Sequence, residues 1–402
     1  MKKFNAPPLS AETLSTSSTL ARELLSAEES YPGYVGLDVH KDTIAVSVAW
    51  QGRTEPVYQG EIANTPKAVS KLVERLCVQC GGEALQWCYE AGPCGYVLYR
   101  QLCELGQSCV VVAPSRIPRA PGERVKTDRR DSLRLSRLLR AGELEAVWVP
   151  DDEQEAMRDL SRCRSDFKGQ EHKARQQLNG FVLRHGHHWP TGKTRWTRGH
   201  YNWLESLALA HQWQHMVLQD YVDAVRSASA RVAQLDAQIM QALPQWSLAP
   251  VVHSLMALRG INVLAAVTLL AELGDISRFD SPRQLMSFLG LVPSEHSSGQ
   301  RRRQGALTLT GNRHARRLLI ECAWSYRFTA SQTMYLKRKS AQASDEAKAI
   351  GWRAQKRLCG RYRTLVQAGK NVKLVCAAIA RELCGFLWDI VRHEMPKLST
   401  RA

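Results

Sequence analysis

Two apolar runs, Tyr34–His40 (YVGLDVH) and Thr43–Trp50 (TIAVSVAW), are separated only by Lys41 and Asp42. Alternating, β-branched residues on both sides of a two-residue turn predict a pair of antiparallel strands. Strands this apolar need cover on their faces, so the N-terminal part of the chain must build a sheet packed against other elements. A third strand is predicted around Val57–Ile62. A helix is predicted from Pro66 to Cys80, with Thr65 as its cap and Ala68, Leu72, Val73 and Leu76 as its apolar stripe. The segment ALQWCYE reads as a strand ending at Glu90, the GPCG turn that follows opens another helix, and SCVVVAP reads as a further buried strand. Paired strands followed by strand–helix alternation give an α/β domain with a mixed sheet over residues 31–150. The polar, Ser/Thr-rich residues 1–30 read as a flexible tail.

The pattern changes to long helices over 151–245, where Glu153–Leu183 and Tyr221–Leu243 are expected to run antiparallel. Between them lies WPTGKTRWTRGHYNW. Interleaved Trp and cations suit base stacking and phosphate contact, and equally suit aromatic packing at the tip of a helical hairpin. From 246 to 402 short helices around LRGIN and FDSPRQL lead into a loop, PSEHSSGQRRRQGALTLTGN, and a helix from Arg313 that Asn312 can cap. The segment LMALRGINVLAAVTLLAEL is compatible with a helix-hairpin-helix-like phosphate contact. It lacks the Gly-x-Gly turn, since Ile261 and Asn262 follow Gly260, so a core role stands beside that reading.

Fifty-five Lys and Arg against 38 Asp and Glu give a formal charge of +17, which favours polyanionic partners. No apolar run approaches the ~20 residues of a membrane span, and the N-terminus lacks the apolar core of a signal peptide. A cytoplasmic protein with no membrane partner is expected, its 11 cysteines reduced. Neither Cys77-x-x-Cys80 nor the His185, His187 and His188 cluster has a second pair at zinc-site spacing.

The segment KTDRRDSLRLSRLLR carries two carboxylates at helical spacing. Asp128, Asp131, Leu135 and Leu138 share one face, with Arg130, Arg134 and Arg137 on another. Acids continuing an apolar stripe need a compensating cation, either a divalent metal or nearby arginines. Helix-dipole stabilisation of an acidic first turn is the alternative. Asp38 is a charge inside an otherwise apolar strand, and Glu90 ends a strand at a strand-to-helix turn. Carboxylates so placed can converge at one sheet edge, and such hard oxygen donors suit Mg2+ and phosphodiester chemistry.

Ser298 lies in a loop beside Arg301, Arg302 and Arg303, with Arg313, Arg316 and Arg317 just beyond, and no acid occurs from Gly299 to Ile320. A hydroxyl among guanidinium groups has the surroundings of a phosphoryl nucleophile. A Ser-Gly turn in a basic loop is the plainer alternative.

Together GLDVHKD, the acid of CYEAGPCG, KTDRRD, and LRGIN…FLGLVPSEHSSGQRRRQG…GNRHARRLL resemble Piv-like transposases, the insertion-sequence one-ten family. The resemblance runs from about Gly36 to the C-terminus. It implies a RuvC-like (RNase H-like) domain whose DEDD carboxylates map onto Asp38, Glu90, Asp128 and Asp131 and hold Mg2+. It further implies a helical coiled-coil region and a mainly helical C-terminal transposase domain with Ser298 as nucleophile. The implied reaction is DNA recombination through a phosphoserine, the serine being supplied from another domain or subunit. Sequence choice would come from a non-coding bridge RNA that pairs with donor and target DNA, and the protein would act as a dimer or tetramer in the prokaryotic cytoplasm, associated with the nucleoid. Relatives often carry Lys where this chain has Leu309, so that phosphate contact is either missing or supplied by Arg303 or Arg313. A water-using metal nuclease or junction resolvase and a non-catalytic RNA- or DNA-binding scaffold are the rival readings.

Overall fold

A computed structural model describes residues 30–118, 127–296, 298 and 303–396. The expected tail over 1–30 lies almost wholly outside the described residues, as do Arg301 and Arg302. The chain divides into two compact units, at Val149/Pro150.

In the first unit β1 (Gly33–Val39), β2 (Thr43–Trp50) and β3 (Val57–Ala63) form an antiparallel meander. β4 (Gln86–Glu90) and β5 (Ser108–Val112) add parallel to β1, giving the order β3-β2-β1-β4-β5. The sheet is therefore mixed, as expected. Alternation along the strands sends side chains to two faces. Val35, Leu37, Trp87 and Tyr89 pack against α1 (Pro66–Gln79) and α2 (Val97–Glu104), through Val69, Leu72, Leu76, Leu98 and Leu102. Cys88, Val110 and Val112 meet Leu135 and Leu139 of α3 (Asp128–Arg140) on the other face. Thr65 caps α1 as predicted, its hydroxyl accepting from the Ala68 amide at 3.3 Å.

The approach of α3 to the sheet is unusually close, and small residues permit it. A Cβ on Gly36 would overlap the Ser132 carbonyl oxygen and the Ser136 amide. Ser47 of β2 and Ser132 share a buried hydrogen bond of 2.7 Å. The buried face of α3 is consequently Asp131, Ser132, Leu135, Ser136 and Leu139. This adjusts the predicted face: Leu139 and two serines join it, Leu138 packs at its margin, and Asp128 is exposed, because the helix rests on its serines rather than on a stripe of large residues.

In the second unit α4 (Asp152–Arg184) and α6 (Gln212–Ala242) run antiparallel, with α5 (Arg198–Glu205) between them. Arg164 pairs with Asp236, Glu171 accepts from Ser229 at 2.8 Å, and Phe181 lies 5.6 Å from Tyr221. The tip residues pack on one another. Trp189 meets Trp203 at 5.2 Å and His200 at 4.9 Å, Arg175 covers Trp196 at 4.8 Å, and His200 is buried. Of the two readings for this segment, the described contacts are those of aromatic packing.

The hairpin grows from a helical body of α7 (Ala249–Leu255), α8 (Val263–Leu273), α9 (Pro282–Phe288), α10 (Arg313–Ala323), α11 (Met334–Lys339), α12 (Asp345–Gln367) and α13 (Val372–Glu394). α8 is apolar on nearly all sides and forms the centre of this core. The LRGIN turn precedes it. Leu258 and Ile261 are fully buried there, and Asn262 caps α8 by accepting from the Ala265 amide at 2.8 Å. The core reading of that segment is the one observed. Glu272, buried at the end of α8, receives Arg162 of α4 through two hydrogen bonds of 2.8 and 3.0 Å, and the Asn312 amide at 2.7 Å. A single carboxylate thus joins the long hairpin, the core helix and the start of α10.

Candidate active-site residues

The close seat of α3 on β1 brings the helix start to the strand end. Asp38 leaves the α3-facing side of β1, because it alternates with Tyr34 and Gly36. His40 follows two residues later, just past the strand. Its Nε2 lies 3.6 Å from Asp38 Oδ2 and 3.4 Å from Asp128 Oδ1. Among the described residues, these three form the group whose ligand atoms all lie within 4.8 Å of one another. Asp38 is mostly covered, with 15 % of its side chain exposed, whereas His40 and Asp128 are about half open, at 48 % and 49 %. Two carboxylate oxygens and an imidazole nitrogen, reachable from solvent, are a donor set that a divalent metal can use.

Glu90 and Asp131 lie outside that group. Register explains the position of Glu90: Leu37 pairs with Tyr89, so Glu90 is the next residue beside Asp38, at the C-terminal ends of two parallel strands. By alternation with Cys88, which donates to the Leu135 carbonyl, it belongs to the same α3-facing side. Asp131 is buried and accepts from Arg134 Nη2 at 2.7 Å. The first turn of α3 also favours both of its acids through the free amides there, and Thr127 caps it, accepting from the Arg130 amide at 3.3 Å. The sequence reading missed His40. The signal was available, since period-two alternation places it on the side of Asp38.

Ser298 is exposed, in the span joining β6 (Pro293–Glu295) to β7 (Gln304–Leu307). The strands pair antiparallel and the His296 amide donates to the Arg303 carbonyl at 2.9 Å, closing the span. Its two feet are fixed together. Arg316 is buried, and its Nη1 donates to the carbonyl of Leu289 before β6 and of Thr310 after β7, at 3.0 and 2.6 Å. Burial lowers the Arg316 pKa from its usual value, and neighbouring Arg313 adds to the shift. Arg303, Arg313 and Arg317 are exposed, and Arg317 pairs with Glu321 at 2.7 Å. Leu309 sits in the left-handed region at φ 54° and is exposed.

Comparison with known proteins bears on both groups of residues. The family model described as "Transposase" of the IS110 DEDD type matches residues 35–186, and that of the "Transposase IS116/IS110/IS902 family" matches 252–337. The protein named "Putative transposase y4qE" of Sinorhizobium fredii is 45 % identical over 361 residues, which cover 90 % of this chain and 88 % of that one. The chain belongs to the IS110 family of transposases. The "Transposase for insertion sequence element IS1533" of Leptospira borgpetersenii is 28 % identical over 341 residues, covering 84 % of this chain and 98 % of that relative. As an IS110-family transposase the protein is an insertion-sequence enzyme with DNA as its substrate. One matched stretch contains Asp38, His40, Glu90, Asp128 and Asp131, and the other contains Ser298. Among the described residues no helix is long and apolar enough to cross a membrane.

Proposed function

We propose that this transposase cuts and rejoins DNA through a phosphoserine at Ser298, and that its sheet unit is a RuvC-like domain holding Mg2+. The observation that carries the metal half is the convergence of Asp38, His40 and Asp128 within 4.8 Å. A bound divalent ion would stabilise charge developing on the phosphate and on the departing oxygen. Asp38 and Asp128 would hold it, with Glu90 beside Asp38 on the adjoining strand end and His40 completing the group. Asp131, paired with Arg134, would act on the start of α3, keeping Asp128 turned toward Asp38.

Ser298 Oγ would form a bond to phosphorus as the bond from phosphorus to the 3′ oxygen breaks. The serine proton passes to solvent, and the 3′ oxygen takes up a proton to leave as a hydroxyl. The phosphodiester energy is kept in the phosphoserine, so the reverse attack by another 3′ hydroxyl rejoins strands without a nucleotide cofactor. Arg303 and Arg313, both exposed near the feet of the hairpin, would neutralise phosphates, together with Arg301 and Arg302, which lie outside the described residues. A non-coding bridge RNA pairing with donor and target DNA would supply sequence choice, and a dimer or tetramer would hold the two duplexes.

Incubating protein, RNA transcribed from the gene's flanking DNA, Mg2+ and labelled DNA, followed by a denaturing gel, tests this reading. A covalent protein–DNA adduct is expected in the wild type and is lost in both Ser298→Ala and Asp38→Ala. Cleavage by Ser298→Ala at the wild-type rate, with no adduct in either protein, would overturn the serine assignment in favour of water attack.

A further inference from the structure

Much of the positive charge lies away from both groups of residues described above. Between Arg327 and Arg363 the chain has ten Lys or Arg against two acids, a net +8 of the total +17. In this region a cleft of about 330 Å3 opens between α11 and α12. Its lining includes Lys337 and Lys348 and no carboxylate. Half-buried Trp352 forms one wall, with Lys356 Nζ 5.6 Å from its ring centroid, while Gln332 and Ser340 supply polar groups.

The cleft is built rather than incidental, because both of its helices are fastened to the LRGIN turn. Lys339 of α11 is partly buried and its Nζ donates to the carbonyls of Leu258 and Ile261, each at 2.8 Å. Gly351 of α12 lies against the Ala257 backbone, where a Cβ would stand 2.5 Å from the carbonyl oxygen. Buried Gln355 accepts from the Ser331 amide at 2.6 Å and from Arg259 at 3.4 Å. Lys348 also reaches Asp345 at 3.2 Å, but this is an exposed pair within one helix. Such pairs are weak, so the ammonium is available to a phosphate.

We propose that this cleft binds an unpaired nucleotide of a single-stranded nucleic acid, its base on Trp352 and its phosphates on Lys337 and Lys348. An indole wall stacks with any base, and flanking ammonium groups follow the backbone. A volume at the small end of ligand pockets admits one nucleotide and excludes a duplex. An acidic peptide would use the lysines and leave the indole face without a partner. The assignment does not depend on Ser298 or on the carboxylates.

Fluorescence anisotropy with the full-length protein tests it, using labelled pentauridylate, pentathymidylate, an abasic pentamer and a pentaglutamate peptide. Trp352→Ala is expected to weaken both base-bearing pentamers by about 5- to 150-fold, the range of one stacked base. Trp352→Phe should stay within about threefold of wild type, on the same stacking argument. The abasic pentamer should be indifferent to both changes. Lys337→Gln combined with Lys348→Gln should reduce the salt slope by about 1.4, at ~0.7 per phosphate. A greater loss for the uridylate than for the thymidylate identifies RNA as the strand held, and the reverse identifies DNA. Wild-type affinity of Trp352→Ala for both pentamers overturns the proposal, and so does an equal loss of pentaglutamate binding. Should Trp352→Ala melt early, photocrosslinking of 5-iodouridine pentamers to the wild type decides: a crosslink on the Trp352 peptide supports the site, and its absence there overturns it.

Discussion

Gly36 lies beneath Ser132 so closely that a methyl group on it would overlap the Ser132 carbonyl oxygen and stand 2.9 Å from the Leu135 Cβ. This contact fixes how near the first turn of α3 comes to the end of β1, and hence how near Asp128 comes to Asp38. Gly36→Ala should destabilise the sheet unit by roughly 1–3 kcal/mol, the usual cost of overpacking. Thermal denaturation would show the loss. Mn2+ binding, followed by calorimetry below the new melting temperature, should weaken as well, because the helix must lift or slide.

His40 contributes the one nitrogen of the group. His40→Ala and Asp128→Asn should each weaken Mn2+ binding by roughly tenfold or more, with little change in melting temperature, since both side chains are about half exposed. Calorimetric titration reads the affinity. Unchanged binding in both variants would remove these residues from the site.

Arg313 and Arg316, three residues apart, should respond oppositely. Arg316→Ala leaves the Leu289 and Thr310 carbonyls without their donor and should cost roughly 2–6 kcal/mol of stability, at about 1–3 kcal/mol per unsatisfied group. Arg313→Gln should spare the melting temperature and lower the salt slope of DNA binding by about 1, the signature of one lost phosphate contact. Melting curves and salt titrations on the two variants check the pair of outcomes.

Burial alone would raise the pKa of Glu272, but the hydrogen bonds from Arg162 and Asn312 and the adjacent positive charge outweigh it and hold the carboxyl below its usual 4.5. The folded state therefore binds this proton less readily than the unfolded chain. The resulting stability is present above pH about 4.5 and falls away as the pH drops through the lower folded value. Glu272→Gln should remove that acid-side dependence and cost roughly 1–3 kcal/mol at neutral pH, through the loss of a charge-assisted pair. Urea denaturation of both proteins from pH 3 to 7 measures the difference.

Local patterns predicted much of this architecture. Alternation located β1 and β2, Thr65 and Asn312 cap the helices they were expected to cap, and the two long polar helical stretches pair antiparallel as expected. The convergence of Asp38 with Asp128 was legible only as a possibility, because it depends on the glycine and serines that let α3 settle onto the sheet. His40 is exposed just past the strand end, so its alternation with Asp38 marks it and no burial pattern reinforces that signal. Arg316 was grouped with its exposed neighbours, although its spacing from Leu319 and Ala323 places it on the inward face of α10. Glu272, a lone acid in VLAAVTLLAEL, was as conspicuous as Asp38 and went unread; its meaning required Arg162, 110 residues away in the sequence.

The clamp on the serine hairpin separates tolerance of a longer arm from tolerance of change at its base. Arg316 ties Leu289 to Thr310, and the His296–Arg303 hydrogen bond joins the two ends of the span above them. Lengthening such a span costs little, about 0.6 kcal/mol for each doubling. Insertions into the span between His296 and Arg303 should therefore be tolerated far better than loss of the single arginine at its base.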